Sequence, residues 1–174
     1  MTERSKFESI NNILLHNDLA GDEGYQAPSL EQDGKRLTSI SHMMTPGECQ
    51  DLLSLICVKE PEIVSVDRST SVVLPLHFGR MVIQSETGHW EEHFESEHLV
   101  CVIEFEHLMF NDIAGLAKLS QSLTWSIPHI ENEKLTLRRV ITLAEGRTDN
   151  SFLMEVSHLN QEAEMIWAQL SSLV

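Results

Sequence analysis

One motif in the sequence combines residue types and spacing that could do chemistry, His89-Trp90-Glu91-Glu92-His93. It fits the H-x-x-E-H pattern of inverted zinc proteases, in which two histidines on one helix face hold Zn²⁺ and a glutamate polarises the bound water. A third ligand would have to come from a distant residue such as Glu155 or Glu162. The segment is short, lies between predicted strands and has no apolar helical face, so we interpret it as an acidic loop. A small metal-binding protein or hydrolase that uses the His89-His93 region is the alternative.

Histidines and carboxylates are concentrated around this motif. Residues 81–117 contain eight acidic residues, four histidines and no Lys or Arg. Because carboxylate neighbours favour the charged imidazole, these histidines could respond to mild acid or bind metal adventitiously. A solvated acidic loop with incidental histidines is the simpler interpretation. The four histidines are His89, His93, His98 and His107.

The other patterns that support catalysis are missing from the sequence. There is no Gly-x-Ser-x-Gly elbow and no glycine-rich phosphate loop. Cys101 lies in the apolar run 99–103, where a thiol is a small core residue and not a nucleophile. Cys49, Cys57 and Cys101 are odd in number and lack zinc-ligand spacing, which favours a reducing compartment and hence the cytoplasm. We therefore predict no catalytic residues, no metal and no cofactor.

The charge balance restricts the class of partner. The chain has 174 residues with 12 Lys and Arg against 27 Asp and Glu, so its formal net charge is −15. This acidity argues against nucleic acid and against an anionic membrane surface, both of which require clustered basic residues. It favours a basic or extended segment of another protein, although solubility alone is the simpler explanation. With 41% hydrophobic residues and no long apolar run, we expect one globular domain without a membrane-spanning helix or a signal peptide.

The first 44 residues differ in pattern from the rest of the chain. Residues 5–17 have apolar positions at helical spacing, whereas residues 18–44 mix Gly, Pro and polar residues with little periodicity. We interpret residues 1–44 as an N-terminal helix and flexible linker. Residues 45–174 are then a single α+β domain.

Helices and strands are partly segregated within this domain. Thr45-Pro46-Gly47-Glu48 has the features of a capping box, and the helix that follows should end before Pro61. An acidic loop at 86–97 and a helix at 112–125 interrupt the strands, and Pro75 predicts an edge position or a bulge. We predict an α+β fold with helices packed on one face of a mostly antiparallel sheet. The predicted strands are at 62–67, 71–77, 80–85, 98–106 and 134–145.

The last helix has the clearest pattern. Its apolar residues step alternately by four and three over about three heptads. Met154, Met165 and Trp167 lie outside this seam, so the helix has extra apolar surface. Burial against both its own sheet and a second subunit would explain this surface, and so would a deep position in one core. We place a partner or dimer interface on Phe152, Val156, Leu159, Ile166, Trp167 and Leu170.

Arg138-Arg139 interrupts the longest predicted strand and puts one arginine on each face of the sheet. The arginine that faces the helix layer or an interface needs a carboxylate partner. A structural ion pair is the simpler explanation, and contact with an acidic segment of a partner is the functional one. We add Arg138 and Arg139 to the predicted interface.

From Asn111 onward the chain resembles the C-terminal half of the type III secretion chaperone-like superfamily and of its YbjN-like relatives. The resemblance rests on the helix 112–125, the strand 135–143 and the closing Ala163-Glu164-Met165-Ile166-Trp167. It implies a homodimer with a twisted sheet in each subunit, of the kind used in bacterial secretion. It also implies an extended segment of another protein as the partner, without ATP or metal. We therefore expect a non-enzymatic, chaperone-like protein-binding module, with a regulatory domain of the same fold as a further alternative.

Overall fold

The computed structural model describes residues 39–67, 69–91, 93–109 and 113–171. The helix and most of the linker predicted in the first 44 residues lie outside this part of the chain. The predicted α+β class is confirmed, because a six-stranded, fully antiparallel sheet carries helices on one face. No helix among the described residues is both long and apolar enough to cross a membrane.

The elements follow one another closely along the chain. In order they are β1 (Ile40–Ser41), α1 (Pro46–Ser54), β2 (Glu62–Val66), β3 (Ser69–Leu76), β4 (Gly79–Ser85), β5 (His98–Met109), α2 (Ile113–Ser122), β6 (Ile127–Glu131), β7 (Lys134–Thr142), β8 (Arg147–Thr148) and α3 (Asp149–Ser171).

The strands of the main sheet lie in the order β2-β3-β4-β5-β7-β6, and β1 pairs with β8 in a separate two-stranded ribbon. Strand β6 is not among the predicted strands, because Pro128 in the sequence indicates the end of the preceding helix. Pro128 is tolerated since β6 is an edge strand, where a missing N–H need not interrupt the ladder. Pro75 also fits its prediction, because β2 pairs with β3 only as far as Val73 and leaves Pro75 with one neighbouring strand.

The first helix begins as predicted and ends earlier. The Thr45 hydroxyl accepts a hydrogen bond from the Glu48 N–H, and the Glu48 carboxylate accepts one from the Thr45 N–H, which completes the capping box. The helix ends at Ser54, several residues before Pro61. The Gln50 amide donates to the Pro61 carbonyl at 2.6 Å, so the chain leaves α1 and enters β2 in a fixed direction.

The three helices contribute to one hydrophobic core with a single face of the sheet. Because side chains alternate along a strand, β3, β4, β5 and β7 each present every second residue to this core. The seam of α3 covers the middle of the sheet, and α1 and α2 pack toward its two sides. The largest fully buried side chains include Phe78, Trp90, Phe105 and Phe152.

The predicted domain boundary at Thr45 is wrong for the residues just before it. Met44 is 1% exposed and exchanges two backbone hydrogen bonds with Ser96. The Met44 carbonyl also accepts a hydrogen bond from the buried indole N–H of Trp90 at 3.0 Å. The domain therefore includes Ser39–Met44, because removing this segment would open the core and leave a buried donor without its partner.

Candidate protein-binding surfaces

The His89-Trp90-Glu91-Glu92-His93 segment does not adopt the geometry that the zinc-protease pattern requires. Its described residues are not helical, so the two histidines are not on one helix face. His89 and His93 are exposed, whereas Trp90 between them is fully buried and anchors the acidic loop to the core. The described residues contain no group of three or more side chains arranged to hold a metal ion.

The three cysteines are unpaired thiols inside or beside the core. Burial raises the pKa of Cys57 and of Cys101 to about 12, although the Arg139 guanidinium acts in the opposite direction on Cys101. Burial also raises the pKa of Cys49 well above its ordinary value. All three thiols are therefore protonated at neutral pH, which makes them poor nucleophiles.

Four of the predicted interface residues require a correction. Phe152, Val156, Leu159 and Ile166 are between 0% and 2% exposed, because the sheet of their own chain covers them. A partner cannot reach these side chains without unfolding the helix layer. The extra apolar residues outside the seam behave differently, since Met165 is 53% exposed and Met154 and Trp167 are half-buried.

The other predicted interface residues are divided between the two sides of the sheet. Trp167 is half-buried and stacks on Phe78 with ring centroids 6.1 Å apart, and Leu170 packs at the margin of the same core. Arg138 is exposed on the opposite face of the sheet. Arg139 faces the helix layer. These residues do not form one continuous surface.

Arg139 belongs to a structural ion-pair network, as the simpler explanation required. Its Nε and a terminal guanidinium nitrogen both lie 3.1 Å from Oε2 of Glu155, whose side chain is nine-tenths buried. Arg147 contacts the other carboxylate oxygen and donates from its Nε to the Thr142 carbonyl at 2.6 Å. One carboxylate on α3 therefore ties together β7 and β8.

A second buried carboxylate of α3 holds the connection between α2 and β6. Glu162 accepts hydrogen bonds from the N–H groups of Thr124 and Trp125 at 2.6 and 2.8 Å, and from the Ser126 hydroxyl at 2.7 Å. Both glutamates raised as distant zinc ligands are thus engaged in structural contacts. Their positions beside the apolar seam of α3 were the only sequence signal for this role.

His158 lies between these two carboxylates on α3 and stacks on Trp125, with ring centroids 4.2 Å apart. The Arg139 guanidinium lies 5.7 Å from the centroid of the same tryptophan. Burial lowers the pKa of His158, while the Glu162 carboxylate partly opposes the shift. Its Nδ1 is buried and has no hydrogen-bond partner within the described residues.

This environment predicts a loss of stability in mild acid. Because the folded-state pKa lies below the ordinary value of 6.5, the unfolded chain binds the proton more readily, and stability falls as the pH drops below that value. We expect His158→Phe, which keeps the stacking, to reduce the decrease in unfolding free energy between pH 7 and pH 5 in urea titrations. The same change at the exposed His89 should leave that decrease intact. An unchanged decrease in His158→Phe would contradict the assignment.

The face of the sheet opposite the helices carries an unusual number of apolar side chains. Antiparallel sheets with one solvated face normally present polar residues there. Here the outward positions in the middle of four strands are valines, and no described helix covers them. Val100 is 2% exposed among its neighbours, and Val140 is 39% exposed. We call this surface the valine face, and it consists of Val73, Val82, Val100, Val102 and Val140.

Charged residues surround the valine face. Arg80 on β4 pairs with Glu104 on β5, with guanidinium nitrogens 2.6 Å from Oε2. Arg138 lies beside Val102 on one side, and Glu62 lies beside Val73 on the other. An apolar centre with a charged rim is the usual composition of a protein–protein interface.

A cleft of about 540 Å³ adjoins the Arg80–Glu104 end of this face. Its walls carry both signs of charge, including Glu106, Glu131 and Lys134. Asn132 and Glu133 adopt positive φ angles in the β6–β7 turn that forms one side of the cleft. The mixed charges make the cleft an extension of the polar rim.

The two edge strands of the sheet differ in how they are protected. Pro128 interrupts β6, and α2 packs beside that strand. In β2, by contrast, all five residues are exposed, with no Pro or Lys within the strand. Val64 and Val66 are 40% and 62% exposed. An uncapped edge of this kind is a ready template for pairing with another chain.

No protein-family model matches this chain, and no curated protein gives a significant match. The resemblance to the secretion chaperone-like superfamily therefore stays a prediction that rests on residues 111–170.

Proposed function

We propose that this protein is a non-enzymatic, chaperone-like protein-binding module of the cytoplasm that works as a homodimer and takes up an extended segment of a partner protein. The observation that carries the proposal is the edge strand β2. Within the part of the chain that the structure describes, its outer backbone groups have no neighbouring strand, and three of its five exposed side chains are apolar. A partner segment that adds as a seventh strand would satisfy those groups and cover the valines.

The side chains of β2 and the net charge of the chain indicate what kind of partner segment would bind. Strand addition requires an extended backbone, and Val64 and Val66 project on the same side of the strand, so apolar residues at alternate positions would meet them. The net charge of −15 favours basic residues on either side of such a segment. The superfamily resemblance supports the same class of function, including a role in bacterial secretion.

Lysines on the edge strand should abolish this activity. We expect the double variant V64K/V66K to fold with a stability within about 1 kcal/mol of wild type, because both sites are exposed, and to lose the partner. Wild-type protein, V64K/V66K and the control variant V64T/V66T would be used as bait in an extract of the native host. Overlapping peptides from a retained protein would then be tested for direct binding to each bait.

The matched control is V64T/V66T, which keeps β-branched side chains on the edge and should retain the partner. Binding should map to one short segment with alternating apolar residues. Equal binding of that segment to wild type and to V64K/V66K would contradict the assignment of β2.

A further inference from the structure

On the valine face Val140 is exposed, Val73, Val82 and Val102 are half-buried, and no described helix covers them, which is the composition of a surface that associates. We infer that a second copy of this chain covers it, packed face to face about a two-fold axis parallel to the strands between β4 and β5. This inference deepens the proposed function by assigning the homodimer interface. The outer backbone edge of β2 stays open to a partner segment in this arrangement, while Val64 and Val66 lie on the same side of the strand as Glu62 and face the second copy.

The side chains on β4 and β5 are complementary to themselves under that rotation. The register places Arg80 beside Glu104, Val82 beside Val102, and Gln84 beside Val100. A two-fold axis between the two strands exchanges β4 with β5. Arg80 then faces the second copy's Glu104, and Val82 faces the second copy's Val102. Sheets packed in this way lie about 10 Å apart, so the valines of the two copies interdigitate.

The outer strands repeat this complementarity. One crosswise row of the sheet begins with an acid at Glu62, continues through Val73, Val82 and Val102, and ends with a base at Arg138. The rotation reverses the row in the second copy. The acidic end therefore lies within one strand spacing of the second copy's basic end, a distance that an arginine side chain spans. An isologous interface requires this kind of self-matching surface.

Charge reversal at Arg80 or Glu104 can distinguish an ion pair between the two copies from the ion pair within one chain. The Arg80 and Glu104 side chains are 57% and 40% exposed, so the single variants R80E and E104R should fold. Each variant opposes like charges across the axis twice. We expect wild type to sediment as a dimer at micromolar concentration, and each variant to have a dissociation constant at least tenfold higher.

Mixing the two variants is the decisive step. In a mixed dimer every cross-axis pair is again Arg with Glu, so an equimolar mixture should form a one-to-one dimer. The double variant R80E/E104R should dimerise by itself, and K59E, which changes a charge away from the face, should match wild type.

A monomeric wild type, a dimer that resists both single variants, or a mixture that stays monomeric would overturn the inference. The R80E variant should still bind the segment at β2, because strand addition uses the outer edge of that strand and not the face between the two copies. Loss of this dimer with retained binding at β2 would remove the interface assignment and leave the binding of a segment at β2 intact. A dimer that follows these charge rules but binds no segment at β2 would remove the strand-addition part of the proposed function alone.

Discussion

Replacing Glu155 by glutamine should lower the free energy of unfolding by about 3 kcal/mol. The substitution keeps the shape of the side chain and removes the one negative charge shared by Arg139 and Arg147. Two guanidinium groups then converge on a neutral amide in a site where the glutamate side chain is only 10% exposed. We place the effect at the lower end for a broken buried pair because about a third of each arginine side chain reaches solvent.

Denaturant titrations of a small set of variants test this expectation. Glu145→Gln, at an exposed position, should change stability by less than about 0.5 kcal/mol. The double variant with Glu155→Gln and Arg139→Met should lose less stability than the sum of the two single losses. In the double variant the Arg139 guanidinium, which Glu155→Gln alone leaves without a carboxylate, is also absent. A loss below about 1 kcal/mol for Glu155→Gln would mean that the network does not hold the helix to the sheet.

Gly79→Ala should cost about 4 kcal/mol or more, or prevent folding. A Cβ atom at this position would overlap the carbonyl oxygen of Glu104 and lie 3.0 to 3.1 Å from the carbonyl carbon of Glu104 and the nitrogen of Glu106. All of these atoms belong to the backbone of β5, an interior strand of the sheet. They cannot move without breaking the ladder on both sides, so the β3–β4 turn has to separate from β5.

Gly47 is the matched control for this change. A Cβ atom there meets nothing within 4 Å, and the residue lies in the first turn of α1. Gly47→Ala should therefore stabilise the protein by about 0.5–1 kcal/mol through helix propensity. In urea titrations the free energy of unfolding should fall below the wild-type value in Gly79→Ala and rise above it in Gly47→Ala, and soluble expression should fall only in Gly79→Ala. An unchanged stability of Gly79→Ala would contradict the close approach of the turn to β5.

Periodicity made the layers of the fold predictable. The apolar seam of α3 repeats over about three heptads. In the strands, apolar residues recur at every second position, which indicates the face that points to the core. The capping box at Thr45 could be predicted because its donors and acceptors lie only three residues apart in the sequence. The short strand β6 could not, since Pro128 argues against a strand and only the edge position in the sheet makes it acceptable.

The candidate surfaces depend on tertiary structure that periodicity does not report. The apolar run 99–103 reads as a buried strand, which conceals that Val100 and Val102 point away from the helices. The interface was predicted on α3 because the helix has more apolar residues than its seam needs, although the sheet of the same chain covers the seam itself. Trp90 has no periodic neighbours in its acidic loop, so its place in the core could not be predicted.

The strand order has a consequence for how the chain assembles and opens. Strands β2 to β5 are neighbours both in the sheet and along the chain, so each pairing closes a short loop. The β1–β8 ribbon instead joins residues more than a hundred positions apart, such as Ile40 and Thr148. Closing a long loop costs more chain entropy and yields only two residue pairs here. We therefore expect the β1–β8 ribbon to close last and to open first, while the meander of β2 to β5 is still intact.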